Sequence, residues 1–100
     1  MIREEFPSLS TLFGAYLHQD WDIDYQTPEN AVRSFAAAAG SQLVSQTRRE
    51  IETLLEKPLT DSELATLITR EFGASYDPCL DGHSPRAWLR DVAAILGAEI

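Results

Sequence analysis

The hundred residues predict an all-α fold, a compact single domain over 1–100 built from about five short helices. Three observations carry that reading. Apolar residues recur at helical spacing in five segments, capping or breaking residues bracket each segment, and no segment alternates with period two for long enough to make a strand.

The first helix is marked by Leu9, Leu12, Phe13, Tyr16 and Leu17 at i, i+3, i+4, i+7 and i+8, with Pro7 and Ser8 suited to its start. Thr27, Pro28 and Glu29 open the second, with Thr27 as cap. Its stripe is Val32, Phe35, Ala36 and Ala39, and Gly40 ends it. A third runs from about Ser41 to Lys57, with Val44, Thr47, Ile51, Leu54 and Leu55 on one face. Arg48 and Arg49 lie one turn from Glu52, a spacing for small surface ion pairs, and Pro58 stops the helix. "TDSE" at 60–63 reads as a capping box between Thr60 and Glu63, followed by Leu64, Leu67, Ile68 and Phe72 and closed by Gly73. In the fifth, Ser84 caps, Pro85 takes the first turn, Trp88, Leu89, Val92, Ile95 and Leu96 face inward, and Gly97 ends it. A long connection, "GASYDPCLDGHS", joins the last two helices and carries turn signals. A long loop in so small a domain is a candidate functional surface.

A chain of this length compacts to a radius of gyration of about 13 Å and holds one modest core, for which 44% hydrophobic residues suffice. A lone cysteine, Cys79, allows no intramolecular disulfide and suits a reducing compartment. The start "MIREEFPSL" lacks an apolar leader core, and no apolar run approaches the length of a membrane span. The expected setting is the cytoplasm.

Charge is the informative quantity. The net charge is −8, and it is unevenly placed. Residues 1–30 set Glu4, Glu5, Asp20, Asp22, Asp24 and Glu29 against Arg3 alone, and residues 71–85 add Glu71, Asp77 and Asp81 with no Lys or Arg. Such a field repels phosphate backbones and attracts basic surfaces, so direct nucleic-acid binding is not expected, and a basic protein is the natural complement. Acidity also keeps a small domain soluble, with no partner implied.

The densest chemistry lies in "YLHQDWDIDY" at 16–25, with one His, three Asp and three aromatics. Asp20, Asp22 and Asp24 alternate like the start of a calcium loop. That loop needs Gly and Glu where this chain has Tyr25 and Ala31, so calcium is excluded. His18 with Asp20, or Cys79 with His83, each offers two zinc ligands of the four a closed site needs. A small metal- or ligand-binding regulatory module using His18, Asp20, Cys79 and His83 is the alternative reading. Against it, a His at a helix C-terminus can serve the late carbonyls. There is no phosphate-binding glycine loop, nucleophile elbow or Cys–His motif, so no catalytic residue, cofactor or resident metal is assigned. Trp88 sits on an apolar stripe and reads as core. Trp21 reads as core at the edge of a helix pair, while Tyr25, flanked by Asp24 and Gln26, suits core or interface equally.

The run "FPSLSTLFGAYLHQDWDIDYQTPENAV", with "YDP…G…S…AWL" further on, resembles bacterial contact-dependent growth inhibition immunity proteins of the CdiI type. The matching positions are Phe6, Pro7 and Leu9, then Gly14, Tyr16, His18, Gln19, Asp20 and Trp21. Asp24, Tyr25, Glu29, Ala31 and Val32 follow, and finally Ser84, Trp88 and Leu89. Asn30 departs from the pattern where a second acid would fit. The resemblance covers nearly the whole chain, although the middle helix carries no signature.

The resemblance implies a small helical protein that is not an enzyme and needs no cofactor. It implies an inhibitor that binds the C-terminal toxin domain, often a nuclease, of a delivered exoprotein. An acidic face can fill a cationic groove that would otherwise hold a phosphate backbone, and charge complementarity speeds encounter. Such a complex buries about 1,200–2,000 Å² in total. Relatives that share "HQDW" while meeting different toxins imply a division of the stretch. His18, Gln19, Asp20 and Trp21 are then expected to tie the first helix to the following turn. Asp22, Asp24 and Tyr25 are expected to meet the toxin, with Glu29, Asp77 and Asp81 beside them.

Overall fold

Pro7 at the first helical position has its φ preset and lacks the amide that a helix start leaves unpaired. In the computed structural model, which describes residues 5–78 and 82–98, helix α1 spans Pro7–Thr11. Its cap position is Phe6, which has no side-chain acceptor to offer, and Ser8 lies inside the helix. The acceptor comes from far along the chain. Glu50 takes the Ser8 and Leu9 amides on Oε1, each at 3.0 Å, and Gln46 Nε2 donates to its other oxygen at 3.1 Å. A buried carboxylate is thereby placed at the positive end of a helix, where the peptide dipoles favour it.

The first apolar stripe is not one α-helix. After Thr11 the chain widens into a π-turn over Leu12–Tyr16, and a second such turn covers Leu67–Glu71, where the Phe72 amide reaches back to the Leu67 carbonyl at 2.8 Å. The two widened segments meet at glycines. A Cβ on Gly14 would stand 3.4 Å from the Phe72 carbonyl oxygen, and one on Gly73 would lie 3.7 Å from the Gly14 Cα. The stripe still works, because Leu9, Leu12, Phe13 and Leu17 are all fully buried.

Between the first two expected helices lies a further one, α2, at Trp21–Asp24. The Asp20 carbonyl starts it by accepting the amides of Ile23 and Asp24, both at 3.0 Å. Helix α3 spans Pro28–Ala39 and α4 spans Ser41–Glu56. Thr27 caps α3 through its hydroxyl on the Asn30 amide at 3.1 Å. Gly40 separates α3 from α4 at φ +84°, a conformation an L side chain resists. Lys57 is extended, so α4 stops one residue short of the expected end. No ion pair joins Arg48 or Arg49 to Glu52 among the described residues. Helix α5 at Asp61–Thr66 opens with the complete capping box: Glu63 N donates to Thr60 Oγ1 at 3.1 Å, and Thr60 N donates to Glu63 Oε1 at 2.9 Å.

Helix α6 covers Pro85–Ala98. Gly97 does not end it. The missing side chain makes room for Arg48 of α4, whose Nε would be 3.3 Å from a Cβ there. Arg86 of α6 donates to the carbonyl of Leu55 in the last turn of α4 at 2.7 Å and to that of Leu59 beyond it at 2.9 Å. Helix α6 packs on α3, α4 and α5, α1 packs on α4, and α2 leans on α3. The elements among the described residues are all helical, and the radius of gyration is 12.2 Å. None of these helices is long and apolar enough to cross a membrane.

One feature of the core positions the site. A chain of ring contacts runs Phe6–Phe72–Phe13–Trp88–Tyr76–Trp21, with successive centroids 5.3 to 6.0 Å apart. Trp88 is buried, as its stripe predicts. The series carries the rigid interior out to the first residue of α2.

Candidate functional site

The acidic stretch is held from beneath by its own residues. Leu17 turns out of the helix and accepts the Ser75 amide at 2.7 Å, which fastens the end of the π-turn to the long connection. His18 follows, with both ring nitrogens engaged. Its Nδ1 accepts the Asp20 amide at 3.1 Å, so Nε2 bears the proton and faces Asp24 Oδ2 at 3.2 Å. The His18 carbonyl accepts the Trp21 amide at 3.0 Å. Trp21 is half-buried and meets Tyr76 edge-on at 5.3 Å, so the connection that holds Asp77 runs beside α2. Gln19 is exposed, and its side chain has no hydrogen bond among the described residues.

The other half of the stretch faces out. Asp20, Asp22 and Asp24 are exposed. Of their carboxylates, that of Asp24 meets His18, and half its side-chain surface is still open. Tyr25 is half-buried, stacked on Tyr16 at 6.0 Å, while Tyr16 stands edge-on to Phe35 at 5.4 Å. Glu29 sits in the first turn of α3, where its charge suits the dipole, and one of its carboxylate oxygens is buried without a hydrogen-bond donor. Asp77 is half-buried and already engaged. Asp81 and Cys79 lie outside the described residues.

Asn30 has a visible reason to differ from an acid. Its Nδ2 donates to the Tyr25 carbonyl at 3.0 Å, and its Oδ1 accepts from Arg33 at 3.1 Å. A carboxylate could make only the second bond. The amide pins the end of the acidic turn and occupies the first cation after it, since no Lys or Arg lies between Arg3 and Arg33.

One residue of this surface escaped the sequence reading. Ile23, between Asp22 and Asp24, is 76% exposed, the one large aliphatic side chain left in solvent among the described residues. The signal was present in "DID", an apolar residue that belongs to none of the five stripes.

Among the described residues no three His, Cys, Asp or Glu side chains converge in a group able to hold a metal ion. His18, central to the metal-module alternative, has both nitrogens occupied within the turn, and His83 is exposed in the connection. An open groove of about 300 Å³ is lined by Leu59, Ser62, Glu63, Thr66, Leu67 and Glu71, with no His or Cys. Glu63 there is committed to the capping box, whose bonds from Thr60 hold its carboxyl below its ordinary 4.5. What the acidic turn offers is a fixed, negatively charged surface with an apolar point in it.

Comparison with known proteins places the chain in a family. Among curated proteins, no sequence matches this chain. A solved chain from the crystal structure of the CdiA-CT/CdiI complex of Y. kristensenii 33638 superposes with a TM-score of 0.87 at 24% identity, covering 92% of this chain and 98% of that one. This likeness establishes the shared fold. The model of the CdiI immunity protein family matches residues 5–96, nearly the full length, and the chain belongs to that family.

Proposed function

We propose that this CdiI-family protein binds the CdiA-CT toxin domain of a contact-dependent growth inhibition exoprotein and neutralises it in the cytoplasm, as a stoichiometric inhibitor and not as an enzyme. The single observation that carries the reading is the family match over residues 5–96. The toxin face is basic and belongs to a nuclease. The support for this finer part is electrostatic: a surface whose exposed charges are Asp20, Asp22 and Asp24 fits where a phosphate backbone would otherwise lie. Within the stretch 18–25, His18, Asp20 and Trp21 shape the turn, with Gln19 at its surface. Asp22, Asp24 and Tyr25 meet the toxin, flanked by Glu29, Asp77 and Asp81. A partner that must be intercepted on entry gains from steered encounter, which raises association rates most at low salt.

Co-expression tests this directly. Inducing the CdiA-CT domain encoded beside this chain's gene should arrest growth, and co-expression of the chain should restore it. Arrest that persists with the soluble protein present would refute the reading.

A further inference from the structure

We infer that Ile23 is the apolar anchor of the toxin interface, seated in an apolar pocket rimmed by Lys and Arg on the partner. The inference rests on the toxin-binding reading above and adds to it the centre of the contact and the chemistry of the surface that receives it.

Three observations carry it. First, Ile23 is 76% exposed, whereas the other large aliphatic side chains among the described residues are buried or packed against the core. Water contact of such a side chain is unfavourable, and among the described residues Ile23 does not pack against the core.

Second, the residue is presented rigidly. Trp21, two positions earlier, is locked against Tyr76, and the Tyr25 amide closes the helix on the Trp21 carbonyl at 2.8 Å. His18 holds Asp24, the next residue, at 3.2 Å, and Tyr25 is stacked on Tyr16. A side chain held in place before binding loses little freedom when it is captured.

Third, the surroundings have the layout of a binding hot spot, with an apolar centre and a polar rim. The rim is Asp20, Asp22 and Asp24, all exposed and all of one sign. That sign selects the occupant. A second copy would set the same acids against each other, and nucleic acid or an anionic lipid surface would be repelled likewise. A protein surface with cations around an apolar pocket is the complement.

The two kinds of residue should act on different parts of binding. Rim charges govern encounter and its salt dependence, while the anchor governs how long the complex lasts. The test measures association and dissociation of immobilised CdiA-CT, the domain encoded beside this chain's gene, with wild type, Ile23→Ala and Ile23→Leu at two salt concentrations. Ile23→Ala should weaken binding about 10- to 30-fold, almost entirely through faster dissociation. Its salt dependence and melting temperature should match wild type, and Ile23→Leu should bind within about threefold of wild type. Affinity unchanged in Ile23→Ala would overturn the inference and leave the toxin-binding reading standing. A loss that came with a lowered melting temperature would also overturn it, because Ile23 would then serve the fold. Failure of the wild type to bind would remove the reading itself, and the inference with it.

Discussion

The two halves of residues 16–25 both mix aromatic and acidic residues and differ in what their side chains do. On one side, Trp21 is tied to Tyr76, and His18 uses both ring nitrogens within six residues of itself. On the other, Asp22 and Ile23 stand in solvent. The lesson is that a motif dense in charged and aromatic residues need not be a single site. An inward half can hold an outward half in place, as His18 does with Asp24 at 3.2 Å.

That contrast can be broken by mutation. The largest effect should come from Trp21→Ala, which removes the last ring of the aromatic series. Because Trp21 is half-buried, the loss should be about 2–3 kcal/mol, below that of a fully buried aromatic, and visible as a melting temperature lower by roughly 10–20 °C. A protein that melts like wild type would show that the inward half does not hold the turn. Next, Asp22→Lys should weaken toxin binding about tenfold or more at low salt while changing stability by less than about 0.5 kcal/mol. Asp24→Lys should weaken binding and also lower the melting temperature, since it breaks the His18 contact. Equal behaviour of the two variants in melting and binding would erase the distinction between them.

The smallest effect sharpens the comparison by acting away from this face. Glu63 is held below its ordinary 4.5 by its bonds with Thr60, so it binds a proton less readily folded than unfolded. Its contribution is present above 4.5 and is lost as pH falls through the lower folded value. Glu63→Gln should therefore flatten the stability profile slightly below pH 4.5 and leave toxin binding at neutral pH untouched. Acid melting curves of the two proteins, recorded side by side, would reveal it, and superimposable curves would remove Glu63 from the linkage.

Much of the architecture was legible because its signals are local. Thr27 with Asn30, Thr60 with Glu63 and Ser84 with Ala87 are caps three residues apart, and all are present. What was not legible is what depends on distance. Glu50 caps α1 from 42 residues away, and in sequence it is one more acid on the third helix. The π-turns arise where Gly14 and the Phe72–Gly73 backbone approach each other, a contact that no helical spacing announces. Gly97 looked like a terminator and is a notch for Arg48, a side chain on another helix. At the site, the acidic run and its aromatics stood out in the sequence. Ile23 did not, since a single apolar residue among acids shows its exposure only once α2 is built.

The most direct test of the central claim, that the outward half of the stretch meets a basic toxin face, is a titration of CdiA-CT with wild type and Asp22→Lys at low and high salt. The account predicts tight wild-type binding that weakens steeply as salt rises, and a shallower salt dependence in Asp22→Lys. Tight binding indifferent to salt and unchanged by Asp22→Lys would contradict it.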